Sequence, residues 1–464
     1  MNKTLHQAKR ITGEVLPPSS LREALEIAAL SLFCEGDTLL ENPPKCRGSE
    51  ELFAFFRQNF DNAAREGAQY TFRGQGGFSG EAPAVLDVGD NAELLETLAP
   101  LFFRRGGLFT GNLFALTRRF RQALGRLDRA GFNFSLSEGE GRFSLALSPG
   151  SPDSVEITLE RGDNAVKTAC LFALLSASTG ENRLIEAVPM PDSIETLLQT
   201  MGASISAHKK GESVVDDDAA AAEPDNSELA RRIRRIQTKK EAAAGDKPIR
   251  TVTLTGGARL KGGCHALLGD PALAAPFLLA GTLLNNSSVT VKGISGSATS
   301  GLFAALRRMG APLRTERGKA ENTFACTAET IRLAGRRISG ELTAAVGEQF
   351  PFLAVAAAYA DGQTVIRDAD FLRDGPVDLL EATISNLKTM GAKVGEIEDG
   401  IVIEGAREYD GAEFNVTGHP ALGLAFAVAA AKNKGESVLT GAESLDRVWP
   451  DFFTKFESLL ETGK

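Results

Sequence analysis

The sequence predicts a mixed α/β (α+β) fold built from six copies of a β-α-β-α-β-β unit, and three observations carry that prediction. A small-residue apolar helix running into a polar or glycine turn recurs six times, a β-branched strand follows most copies, and a Met-Gly-Ala turn closes the second helix of three units. The helix recurs as IAALSLFCEG (27–36), LAPLFFRRGG (98–107), CLFALLSASTG (170–180), FLLAGTLLNN (277–286), LAVAAAYADG (353–362) and LAFAVAAAKNKG (424–435). Successive copies end 71, 73, 106, 76 and 73 residues apart. The one long interval holds a low-complexity stretch at about 212–248 that is acidic, then basic, then Ala-rich, and it reads as an insertion into a regular array. Its RRIRRIQTKK run (231–240) reads as a solvated surface hairpin rather than a nucleic-acid-binding helix, because no aromatics interleave the charges.

The remaining elements of each unit follow from composition. DTLLEN (37–42), NRLIEA (182–187), SSVTVKG (287–293), QTVIRDA (363–369) and ESVLTGA (436–442) have the β-branched content of strands. A second helix then ends in LLQTMGASI (197–205), LRRMGAPL (306–313), LKTMGAKV (387–394) or the variant LDRAGFNF (127–134). Glycine at that point suits a left-handed helix C-cap leading directly into a strand. One unit is too small to bury its own apolar helix, so the units are expected to share a core.

Composition excludes several classes. The chain has 464 residues, 43% hydrophobic and 24% charged, which are globular values. A net charge of −9 is the wrong sign for a general binder of nucleic acid or anionic membrane. The start of the chain has no apolar leader, and APFLLAGTLL and PFLAVAAAYA fall short of a membrane span, so a cytoplasmic protein is expected. Five cysteines, widely spaced and never C-x-x-C, suit a reducing compartment and argue against a disulfide framework or a zinc site. The four histidines show no metal-ligand spacing, and no metal is expected. RGQGGFSG (73–80) lacks the phosphate-loop pattern and reads as a connection between strands.

Local strings add a resemblance. LLGDPALAAPFLLAGTLL (267–284), EQFPFLAVAAAYADGQTVIRDADFLR (348–373), RVWPDFFTKFESL (447–459), LPPSSLREALEIAAL (16–30) and DNAVKTACLFALL (163–175) are similar to motifs of the enolpyruvyl transferase family, and narrow the likeness to its EPSP synthase branch. The resemblance covers nearly the whole chain outside the insertion. It implies two inside-out α/β barrels, each of three repeats with helices inside and sheets outside. One domain would span 19–266 with the insertion, the other 1–18 plus 267–464, and the cleft between them would hold the site. Helix N-termini facing that cleft would attract anions, with Asp270 and Pro271 as an N-cap and N1 pair.

The resemblance also implies an activity: transfer of the enolpyruvyl group from phosphoenolpyruvate to shikimate 3-phosphate in aromatic amino-acid (chorismate) biosynthesis, with no cofactor. The implied partners are these small molecules, with no nucleic acid and no membrane, and the protein is expected to be a monomer. Two polyanionic substrates require cationic clamps and an acid that shuttles protons. Glu348 falls at the catalytic carboxylate position, as a base or as a first-turn acid ahead of Pro351. Ser19, Ser20 and Arg22 stand where a Ser-Lys-Ser motif grips phosphate, or serve as a serine cap and a solvent-facing arginine. Asn91 lies in a loop whose arginine has become Glu96, Arg118 is retained from an arginine pair, and Leu116 occupies a clamp position. Asp163, Asn164 and Ala165 replace a phosphate-gripping Ser-Ala-Gln triplet. Arg373 and Asp378 survive from a longer charged motif in which Pro376 and Leu379 are substituted; His419 survives without its arginine; Arg447 takes a lysine position. These losses predict an impaired or altered activity, with a non-catalytic or repurposed paralogue as the alternative. A reactive cysteine of the related enzyme that uses UDP-N-acetylglucosamine is absent from 111–120.

Overall fold

The computed structural model describes residues 1–78, 85–150, 152–159, 164–209, 250–296, 301–318, 322–405 and 408–462. The insertion at 212–248, its basic run, Asp163 and the end of the 73–80 segment lie outside the described residues.

Six helices form the interior: Leu21–Ser31, Ala92–Leu101 and Asn164–Ala177 in one half, Pro271–Leu283, Phe350–Ala358 and Pro420–Lys432 in the other. Those of the second half are apolar on every side apart from their ends, and a helix of that kind is stable only when enclosed; those of the first half also bury Glu26, Glu96 and Lys167. All nine residues of Phe350–Ala358 are buried, as is every residue from Leu422 to Ala431. Two separate apolar cores result. One joins Leu5, Ala8, Ile11 and Val15 to residues between Leu273 and Phe456. The other runs from Ala24 to Leu267.

Around each helix trio lie three sheets with a common plan. In one unit Glu156–Leu159 runs parallel to Glu181–Glu186, which is antiparallel to Arg250–Thr255, which is antiparallel to Ile205–Lys209. Leu86–Asp87, Gly107–Asn112, Arg142–Leu147 and Phe134–Gly139 repeat this order, as do Arg337–Ile338, Gln363–Ile366, Gly400–Glu404 and Lys393–Ile397. The parallel pair needs a helical crossover, which the interior helix supplies. The sheets stay separate by hydrogen bonding, so the barrel is one of packing: helices inside, sheets outside.

The Met-Gly-Ala turns behave as the sequence predicts. Gly202 has φ 94°, and Ala203 N donates to Leu198 O at 2.9 Å, the six-to-one bond of a Schellman cap. Gly310, Gly391 and, in the variant turn, Gly131 repeat the geometry. The preceding Met201, Met309 and Met390 are buried and anchor the helix end to the core.

The chain crosses between the halves twice, and the crossings touch. Asn2–His6 pairs with Glu436–Thr440, and Ala8–Val15 pairs with Ser288–Ser295 and Leu460–Thr462, so the first strands complete sheets of the second core. After Pro18 the chain enters the first core, and on its return Asp270 N donates to Pro18 O at 2.8 Å.

Candidate functional site in the cleft between the halves

Among the described residues six helix N-termini are closed by their own side chains. Ser20 Oγ accepts from Glu23 N (3.4 Å), Asn91 Oδ1 from Leu94 N (3.1 Å), Thr117 Oγ1 from Phe120 N (3.1 Å), Asp270 Oδ1 from Ala272 N (2.7 Å), Asp378 Oδ1 from Glu381 N (2.8 Å) and His419 Nδ1 from Ala421 N (3.2 Å). Each cap satisfies an amide that would otherwise be available to an anion. Because His419 accepts on Nδ1, its proton belongs on Nε2.

Arg119 organises the centre. It lies on Arg118–Arg129, a helix whose buried face is Arg119, Phe120, Ala123, Leu124 and Leu127. Its side chain is 6% exposed and its Nε lies 3.0 Å from both carboxylate oxygens of Glu96, itself 6% exposed. Thr117 Oγ1 donates to the same carboxylate at 2.5 Å. From its other edge Arg119 reaches the second half and donates to Glu348 Oε1 at 2.5 Å. The second oxygen of Glu348 lies 3.8 Å from His419 Nε2. Arg22, Glu93, Glu96, Thr97, Arg119, Ala165 and Thr168 line a small, largely filled pocket.

Electrostatics follow from this crowding. Burial would push the Glu348 carboxyl up, but Arg119, His419 and Arg22 outweigh it and hold the group well below the usual carboxylate range. A base held so low accepts a proton poorly at neutral pH. Burial lowers the proton affinity of Arg22, while Glu26, Glu348 and Glu93 more than restore it. The Glu23 carboxyl is pushed up to about 7 by burial and then by Glu26 and Asp270.

The residues expected from the sequence separate into three groups. Arg22, Glu348 and His419 converge on Arg119. Ser20 and Asn91 cap helices, and Ser19 Oγ donates to Asn42 O at 2.6 Å. Arg118 is 74% exposed and pairs with Asp374 at 3.2 Å, while Arg373 pairs with Asp378 at 2.9 Å and with Glu396. Asn164 starts the helix Asn164–Ala177. Arg447 lines a second pocket with Gly48, Glu51, Asn91, Glu93 and Leu94. Arg119 was missed. The signal was present: Phe120, Ala123, Leu124 and Leu127 fix the buried face of this helix, and Arg119, not Arg118, lies on it.

A family model described as EPSP synthase (3-phosphoshikimate 1-carboxyvinyltransferase) matches residues 208–456, more than half of the chain. The chain belongs to the EPSP synthase family. Curated EPSP synthase relatives match it along its length. The 3-phosphoshikimate 1-carboxyvinyltransferase of Solibacter usitatus (strain Ellin6076) is 28% identical, with 99% of this chain and all of the relative covered. That of Synechococcus sp. (strain JA-3-3Ab) is 27% identical, over 98% of this chain and 96% of the relative. Among solved structures, EPSP synthase from Acinetobacter baumannii superposes with a TM-score of 0.73 at 20% identity, covering 100% of this chain and 99% of that one. The enolpyruvyl transferase NikO from Streptomyces tendae gives 0.68 at 18% identity, covering 98% and 96%. These likenesses show the two-domain EPSP synthase fold. Among the described residues no helix is long and apolar enough to cross a membrane, and no group of His, Cys, Asp and Glu is arranged to hold a metal.

Proposed function

We propose that this EPSP synthase family protein uses its cleft for enolpyruvyl transfer from phosphoenolpyruvate to shikimate 3-phosphate in impaired or altered form, because its own carboxylates occupy the cations that the substrates need. The observation that carries this reading is Arg119, held between Glu96 and Glu348. A charge-assisted hydrogen bond contributes about 1.5–3 kcal/mol. Four missing clamps, at the entry lysine, Glu96, Leu116 and Leu379, therefore cost on the order of 6–12 kcal/mol if additive, several decades of affinity or rate even after a large discount. In this reading Glu348 is the base, His419 orients it through Nε2, and Arg22 and Arg447 are the remaining cations for phosphate and carboxylate groups. Ser19, Ser20, Asn91, Arg118, Asn164 and Arg373 complete the candidate contacts. The first domain is proposed to span 19–266 and the second 1–18 plus 267–464, with the paired crossings as hinge. A cytoplasmic monomer fits the five free cysteines.

The second reading is a repurposed, non-catalytic paralogue. It is favoured by the pairing of Glu96, at an arginine position of the family, with Arg119: a charge relocated into a new pair suggests a cleft rebuilt for another ligand.

Isothermal titration with shikimate 3-phosphate, then with phosphoenolpyruvate in its presence, tests both. The expected result is no micromolar binding of shikimate 3-phosphate and little phosphate release. Micromolar binding followed by phosphate release at an ordinary enzymatic rate would overturn the impairment. No binding at millimolar ligand would favour the second reading.

A further inference from the structure

We infer that Glu348 is a built-in occupant of the Arg119 anion site and that, with Asp374, it latches the two halves of the molecule together when no ligand is bound. The contacts all start from one turn of one helix. Arg119 N donates to Asp374 O at 2.9 Å, Arg118 Nε lies 3.2 Å from Asp374 Oδ1, Gln122 Nε2 donates to Asp374 Oδ2 at 2.8 Å, and Arg119 donates to Glu348 at 2.5 Å. Their helix is rooted in the first core through Phe120, Ala123, Leu124 and Leu127. Glu348 and Asp374 stand beside Phe350 and Leu372, which belong to the second core. These polar bonds therefore join two bodies that bury separate apolar interiors.

The charge pattern explains why a ligand is not needed for closure. A cleft lined with unopposed cations holds its walls apart until an anion bridges them. Here the bridging anion is a side chain. Glu96 neutralises one edge of the Arg119 guanidinium within the first half, and Glu348 supplies the acceptor for the other edge from the second half. Arg118 and Asp374 form the outer contact, with Arg118 74% exposed and open to salt screening. In the inner pair Arg119 is 6% and Glu348 42% exposed, so that bond is screened less than the outer one but still feels salt. An anionic ligand at Arg119 must displace Glu348, an intramolecular competitor at high effective concentration, and displacement releases the latch. The inference stands on these contacts and does not depend on whether the enzyme turns over.

Small-angle X-ray scattering of the full chain without ligand, with and without inorganic phosphate, tests it. The wild-type protein is expected to scatter as the closed form at low and at moderate salt. Glu348→Gln and Asp374→Asn are expected to scatter as a more open form, and Glu348→Gln is expected to bind phosphate at least tenfold more tightly by titration. Circular dichroism checks that the variants fold. Arg118→Ala, at an exposed side chain, gives a second route should a carboxylate variant fail to fold, and it is expected to raise the radius of gyration on its own in low salt. An open wild-type profile without ligand overturns the latch. So do folded variants that all remain as compact as the wild type.

Discussion

Arg119 and Glu96 form an ion pair in which both side chains are almost fully enclosed, 23 positions apart in sequence and 2.9 Å apart at their closest charged atoms. A buried arginine is tolerated because its fork finds a carboxylate on each edge, one from its own half and one from the other.

Glu96→Gln removes the charge from one edge while keeping the shape. Breaking a buried pair by neutralising one partner typically costs about 3–5 kcal/mol. Glu348 still compensates the other edge, so the expected loss is about 3 kcal/mol, read as a lower urea midpoint. An unchanged midpoint would mean that Arg119 is already solvated.

Glu23 gives the pH dependence a definite sign. Its folded-state proton affinity, at about 7, lies above the ordinary 4.5 of the unfolded chain, so the folded state binds the proton more tightly. The contribution is fully present below pH 4.5 and is lost as pH rises toward 7. Its size is about 2 kcal/mol after allowance for partial exposure. Glu23→Gln should therefore leave the melting temperature near pH 5 almost unchanged and raise it at pH 8. Parallel melting curves for variant and wild type across pH 5–8 would contradict this.

Gly391 tests the turn that closes the second helix of three units. Its φ is 86°, and a Cβ there would meet nothing within 4 Å, so Gly391→Ala isolates the backbone cost of the left-handed conformation. The expected destabilisation is about 1–2 kcal/mol. Gly395→Ala, in the strand Lys393–Ile397 and equally open, serves as the control and should be neutral or slightly stabilising. Equal effects at the two positions would refute the turn assignment.

The repeats were legible because period and burial are local properties. Small apolar residues in Leu278–Gly281 or Leu353–Ala358 can be enclosed only inside a helix trio, and Gly202, Gly310 and Gly391 announce their caps by type alone. The site was legible in part. Motif position named Glu348, Arg22 and His419 as candidates, and the structure gathers them around Arg119, a residue from another unit. The Arg119–Glu96 and Arg119–Glu348 pairs span 23 and 229 positions, and no local pattern encodes which carboxylates meet a given guanidinium. Helical phase alone favours Arg119 over Arg118, and phase was the available signal. The capping roles of Asn91 and His419 are likewise three-dimensional choices: the same side chains could have faced a ligand.

The N-terminal strands also dictate an order of events during synthesis. Residues 2–15 leave the ribosome long before their sheet partners at 288–295, 436–440 and 460–462. The first core, whose residues end at Leu267, can be assembled while those strands are still waiting, and the second core cannot be completed before nearly the entire chain has emerged. Nascent chains halted once residue 267 has cleared the exit tunnel should therefore carry a protease-resistant first half and an N-terminal segment that is readily cut.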